Sequence, residues 1–187
     1  MEVPILKQGE VLMATFQASL HTVAREDVSL EELVQRLNRY ACAHSLDGRR
    51  FTTALLGEYD PATRQLAYVN AGHNAPVLRR DNGKGEAVIE RLPASGVPFG
   101  ISPDAAYLTA TVQLAPRDAL VLFTDGVVEA FNSKGEEFTD ARLVESVRYL
   151  PDWEAQRSLQ FLMQRVDEFV GTTRQFDDIT CLVLRCE

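Results

Sequence analysis

Phe51-Thr52-Thr53-Ala54-Leu55-Leu56-Gly57-Glu58-Tyr59, then Asp60-Pro61, then Gln65-Leu66-Ala67-Tyr68-Val69-Asn70-Ala71 is the stretch that decides the fold class. The first run reads as a strand, Asp60-Pro61 opens a turn, and the second run returns as its partner, with Leu66 and Tyr68 alternating. The same grammar continues downstream. Pro76 to Arg80 reads as a third strand, Asp81-Asn82-Gly83 as a hairpin signal and Ala87 to Leu92 as the next strand. The stretch from Pro93 to Pro103 is rich in Pro, Gly and Ser and reads as loop. Tyr107 to Leu114 and Ala119 to Phe123 are two further strands, joined by Ala115-Pro116-Arg117-Asp118.

Outward from this block the hydrophobic period becomes helical. Leu12, Phe16, Leu20 and Val23 predict a helix over Val11 to Arg25. Ser29 followed by Glu32 is a capping box that starts a second helix, running to about His44, with Leu30, Leu33, Val34, Leu37 and Ala41 as its apolar stripe. Beyond the strands, Thr139 to Leu150 is one helix. A second runs from about Asp152 to Val170, with Pro151 at its first turn. Ile179 to Arg185 closes the chain as a nearly continuous apolar strand. Helices segregated from hairpin-linked strands, with no βαβ alternation, mean an α+β protein and exclude a doubly wound parallel fold.

Composition agrees. With 187 residues, 45% of them hydrophobic and 25% charged, the chain can bury one core and is neither disordered nor fibrous. No apolar run approaches the ~20 residues of a membrane span, and the N-terminus carries charges where a signal peptide is apolar. A cytoplasmic protein with no membrane insertion is expected. The net charge of −8 argues against nucleic acid as a partner, which would need a basic face. Cys42, Cys181 and Cys186 have no metal-ligand spacing and no flanking base, so they read as buried or idle thiols.

Chemistry is concentrated where acids meet strands. In Leu120-Val121-Leu122-Phe123-Thr124-Asp125-Gly126 an Asp stands at the C-terminal tip of an apolar strand, with Gly permitting a sharp turn. In Phe176-Asp177-Asp178-Ile179-Thr180-Cys181-Leu182-Val183-Leu184 two acids precede a strand. If the two strands are antiparallel neighbours, Asp125, Asp177 and Asp178 meet at one edge of the sheet. Carboxylates so gathered repel one another unless a cation neutralises them, and hard oxygen donors suit Mg²⁺ or Mn²⁺. Spacing by itself nevertheless favours turn chemistry over a metal site. His73, in Asn70-Ala71-Gly72-His73-Asn74, reads as a turn-stabilising histidine ahead of a general acid.

Taken in order, Phe51-Thr52-Thr53-Ala54, Tyr68-Val69-Asn70-Ala71-Gly72-His73-Asn74, Gly100-Ile101, Leu122 to Ala130 and Phe176 to Thr180 resemble the bacterial PPM-type serine/threonine phosphatases, in the SpoIIE/RsbU branch. The resemblance runs from about Val11 to Arg185. It implies an α-β-β-α sandwich of mostly antiparallel sheets flanked by helices, over one domain spanning 1–187. It implies two Mg²⁺ or Mn²⁺ ions, with Asp125 and Asp177 as catalytic metal ligands and Asp178 beside them. The implied reaction is hydrolysis of phosphoserine or phosphothreonine on a protein, such as an anti-sigma-factor antagonist, by a metal-activated water.

The sequence departs from that pattern at its start. Ten residues without an Asp precede the first helix, where the family has an early strand pair and further metal-binding acids. The expectation is therefore a domain lacking its N-terminal strands, with part of the metal site, and with an open sheet edge that favours a homodimer. Two readings stand side by side: a phosphatase catalytic domain, and a catalytically impaired binding or regulatory module of the same fold. A phosphoacceptor domain fits less well, because parallel βα alternation is absent.

Overall fold

The computed structural model describes residues 28–44, 51–81, 86–151, 154–175 and 177–186. The helix expected over Val11 to Arg25 and the Asn82-Gly83 turn lie outside the described residues. The chain forms two compact units. The first contains the described residues up to Pro61 with Gln65–His73 and Ala94–Val112; the second contains Ala62–Arg64, Asn74–Pro93 and the described residues from Gln113 onward.

In the first unit, helix α1 (Leu30–His44) begins where the capping box places it, with the Glu32 N–H donating to Ser29 Oγ at 3.2 Å. The predicted stripe of Leu30, Leu33, Val34, Leu37 and Ala41 is buried, in one cluster with Val69, Ala71, Phe99 and Tyr107. Each Leu, Val or Phe side chain so removed from water contributes roughly 1.5–3 kcal/mol. Strands β1 (Ala54–Asp60) and β2 (Gln65–Ala71) pair antiparallel from Ala54↔Ala71 to Asp60↔Gln65. Strand β5 (Ala110–Gln113) lies on the other side of β2.

The strand expected over Tyr107 to Leu114 is thus shorter, because the backbone of its first residues is engaged elsewhere. The Leu108 N–H donates to the Ser95 carbonyl at 3.3 Å and the Thr109 N–H to Glu31 Oε1 at 3.1 Å. The Tyr107 ring meets Phe99 edge-on at 5.4 Å. Across the unit, the fully buried Asn38 ties α1 to the loop after Phe99. Its Nδ2 donates to the Ser102 carbonyl at 2.8 Å and its Oδ1 accepts the Gly100 N–H at 3.1 Å.

The second unit is a four-stranded antiparallel sheet in the order β4-β3-β6-β7. The strands are β3 (Val77–Asp81), β4 (Ala87–Arg91), β6 (Ala119–Phe123) and β7 (Cys181–Arg185). Registers Val77↔Arg91, Val77↔Val121 and Val121↔Val183 put Val77, Val121 and Val183 on one face. Helices α3 (Thr139–Arg148) and α4 (Ala155–Val170) close that face. Leu143, Val147, Leu162, Val166 and Val170 pack with Val77, Val121 and Phe123. The turn before β6 is held by the buried Asp118, whose Oδ2 accepts Arg80 Nη1 at 2.8 Å and the Ala115 N–H at 2.9 Å.

Helix α4 starts at Ala155 rather than near Asp152. Pro151 stands before it and offers its carbonyl to Arg185 Nη2 at 2.8 Å, while the Glu154 carbonyl takes the first helical bond, from the Ser158 N–H at 3.0 Å. No helix among the described residues is long and apolar enough to cross a membrane. Replacing Asn38 by Ala strips partners from the Gly100 N–H and the Ser102 carbonyl; at the usual cost of an abandoned buried group, urea denaturation should show a loss of about 2–3 kcal/mol.

Candidate metal and phosphate site

The site grows from the last pair of the β6–β7 ladder, Phe123↔Cys181. Phe123 is buried beneath α3 and α4, so the ladder is anchored by its apolar face. One step further, Thr124 lies opposite Thr180. Its N–H donates to the Thr180 carbonyl at 3.0 Å, and Thr124 Oγ1 accepts the Thr180 N–H at 3.0 Å. That second bond replaces a backbone carbonyl with a hydroxyl. This is why β7 begins at Cys181 and not at the expected Ile179.

Past Thr124 the chain turns into a single helical turn, α2 (Asp125–Val128), with Thr124 in extended conformation at its N-cap. A four-residue helix is too short to leave a periodicity, and the sequence reading had only a sharp Asp-Gly turn there. Gly126 is required for a different reason than turning. A Cβ at that position would stand 2.5 Å from the Asp178 carbonyl oxygen, so only glycine lets the β6 tip and the segment before β7 lie against each other. The strand pair therefore brings Asp125 and the Asp177-Asp178 dipeptide to the same end of one sheet, as the antiparallel premise requires.

All three aspartates are exposed. Asp125 Oδ1 accepts the Gly126 N–H at 3.0 Å and Asp177 Oδ1 accepts the Asp178 N–H at 2.8 Å, leaving further carboxylate lone pairs on both. Beside them burial pushes the Cys181 thiol up to about 11, which keeps it protonated at neutral pH and removes it as a nucleophile. Among the described residues, no group of three His, Cys, Asp or Glu side chains is placed to hold a metal ion. The donor chemistry does fit a hydrated Mg²⁺ or Mn²⁺, since such ions usually bind one or two carboxylates, keep several waters and complete their shell with substrate phosphate.

His73 belongs to the first unit and to its turn after β2. Its N–H donates to Asn70 Oδ1 at 2.8 Å, and its Nδ1 lies 3.3 Å from Thr53 Oγ1. Asn70 is itself fully buried, and its carbonyl accepts the N–H groups of Ser95 at 2.9 Å and Gly96 at 3.2 Å. The motif around His73 thus serves as a backbone clamp for the 93–100 loop. The residue that sequence reasoning missed is Thr124. Its signal is its register: once Phe123 is paired with Cys181, a Thr-Thr pair follows at the sheet end.

Comparison with known proteins gives this architecture its class. The PP2C domain of SiaA from Pseudomonas aeruginosa superposes with a TM-score of 0.78 at 22% identity, covering 96% of this chain and 70% of that one. The fold is that of a PPM (PP2C-type) phosphatase domain, α+β with antiparallel sheets and helices. Residues 8–187 match the Stage II sporulation protein E (SpoIIE) family, and the chain belongs to it.

Among curated relatives, the phosphoserine phosphatase RsbU of Bacillus subtilis (strain 168) is 25% identical over 177 residues, which is 92% of this chain and 50% of RsbU. Protein IcfG of Synechocystis is 27% identical over 152 residues, 81% of this chain and 23% of IcfG. The chain thus spans at most half the length of these two relatives.

Gly126→Ala tests the close approach at the site directly. The added methyl group must push the Asp178 carbonyl away, and overpacking of this kind costs about 1–3 kcal/mol in thermal or urea unfolding. Unchanged stability would show that the two segments do not touch.

Proposed function

We propose that the chain is one phosphatase domain over 1–187, hydrolysing phosphoserine or phosphothreonine on a protein substrate with the aid of Mg²⁺ or Mn²⁺. The observation that supports this reading is that β6–β7 pairing brings the backbone carrying Asp125 and the Asp177-Asp178 dipeptide to one sheet end, in a SpoIIE-family chain. Asp125 and Asp177 would hold the ions, with Asp178 beside them. Bound there, a pair of divalent ions would supply the charge that offsets phosphoryl oxygens and the acidity that activates an attacking water. The aspartates' part is to fix the cations at the end of the sheet and leave coordination positions open for phosphate.

Their exposure suits a substrate presented on another protein's surface. The likeness to the phosphoserine phosphatase RsbU supports phosphoserine as the substrate group; a phosphorylated anti-sigma-factor antagonist as the protein carrying it, and a cytoplasmic setting, are what the family resemblance implies.

A second reading, a catalytically impaired binding or regulatory module, is favoured by one observation: the described residues do not assemble three metal-holding side chains. The two readings part in one experiment. The purified chain is given Mn²⁺ and either p-nitrophenyl phosphate or a phosphoserine protein. The phosphatase reading expects Mn²⁺-dependent phosphate release that is abolished by chelation. Disturbing even an outer partner of a metal ligand costs about 10–100-fold, so Asp125→Asn should cost at least about a hundredfold in turnover. Clear calorimetric Mn²⁺ binding that is lost in Asp125→Ala would favour the phosphatase; folded protein with neither binding nor turnover would favour the module and defeat the metal reading.

A further inference from the structure

Asp178 is held from two directions by groups that carry no charge. On one side stands the Gly126 backbone, so close that a Cβ would overlap the Asp178 carbonyl oxygen at 2.5 Å. On the other, the Thr124 hydroxyl reaches that same carbonyl oxygen, donating at 3.3 Å with the Thr180 carbonyl as a longer second acceptor at 3.5 Å, while accepting the Thr180 N–H at 3.0 Å. A hydroxyl has one proton to give and lone pairs to accept with, and here both capacities are used across the two strand ends. The geometry is a clasp: one side chain at the tip of β6 bridges the backbone on both sides of Ile179. Thr is also stiff at χ1, so the clasp loses little freedom on closing.

We infer that Thr124 is a positioning residue for this site, setting the Asp177-Asp178 segment against Asp125 through its hydroxyl. The inference rests on the metal-binding reading above but names a residue that carries no charge and ligates nothing. Without the hydroxyl, the Thr180 N–H and the Asp178 carbonyl each lose a partner, and the segment before β7 is tied to β6 by two side-chain-to-backbone hydrogen bonds fewer. The two acidic segments would then be gathered by the ion at its own cost, and affinity would fall by the amount typical of a lost supporting partner.

The test compares the wild-type chain with Thr124→Val, which keeps the shape and removes the hydroxyl, and Thr124→Ser, which keeps the hydroxyl. Two readouts are taken: the Mn²⁺ dissociation constant by calorimetry, and the hydrogen-exchange rate of the Thr180 amide in metal-free protein. For Thr124→Val, Mn²⁺ binding about tenfold or more weaker and Thr180 exchange about tenfold faster are expected, with Thr124→Ser close to wild type in both. Thr124→Val matching wild type in either readout would overturn the inference. If the Val variant does not fold, Thr124→Ala takes its place with the same expectations.

Failure of the metal reading itself looks different: wild-type protein binds no Mn²⁺. The amide exchange then decides the clasp alone. Thr180 protection lost only without the hydroxyl upholds it, and equal exchange in all variants refutes it.

Discussion

The register of β6 against β7 is the constraint from which the site follows. Pairing Phe123 with Cys181 and Val121 with Val183 fixes the strands to within one residue, since a slip of one would turn Phe123 and Val121 away from α3 and α4. Once that register is set, Thr124 must face Thr180 and Gly126 must lie against Asp178. The apolar face supplies the free energy, and the acids at the sheet end are placed as a consequence. What the register places at one sheet end is the backbone that carries Asp125 and the Asp177-Asp178 dipeptide. A buried ladder stands behind them, and the three aspartates themselves are exposed.

The first unit solves a different problem by a related device. Its loop from Pro93 to Phe99 has little regular structure, yet Phe99 is fully buried. Buried amides make this possible. Asn70 gathers the N–H groups of Ser95 and Gly96 on its carbonyl and the N–H of His73 on its side chain, and Asn38 holds Gly100 and Ser102. These bonds give partners to the loop's N–H groups, each of which would otherwise cost roughly 1–3 kcal/mol if buried alone, although Asn70 Nδ2 is itself buried without a partner.

Much of this was legible in the residues. The stripe of α1, its Ser29–Glu32 cap, the β1–β2 hairpin and the limits of β6 follow from periodicity and turn chemistry, because each is set by local sequence. The ends that were misjudged share one cause: a side chain or a distant carbonyl took the backbone partner that regular structure would have used. Glu31 takes the Thr109 N–H, Thr124 takes the Thr180 N–H, and Arg185 takes the Pro151 carbonyl. None of these contacts has a local signature. At the site, the acids could be named from their place beside strands. The reason for glycine after Asp125 could not, because it lies in the Asp178 carbonyl across the sheet end rather than in the turn itself.

In the proposed reading Asp125 shares a cation with the Asp177-Asp178 segment. Anomalous diffraction at the manganese edge, from crystals of this chain grown with Mn²⁺, tests it most directly. A manganese peak is expected at the end of β6 and β7, within about 2.0–2.3 Å of a carboxylate oxygen of Asp125 and of one from Asp177 or Asp178. A peak bonded elsewhere, or density showing these carboxylates directed to opposite rims of the sheet, would contradict it.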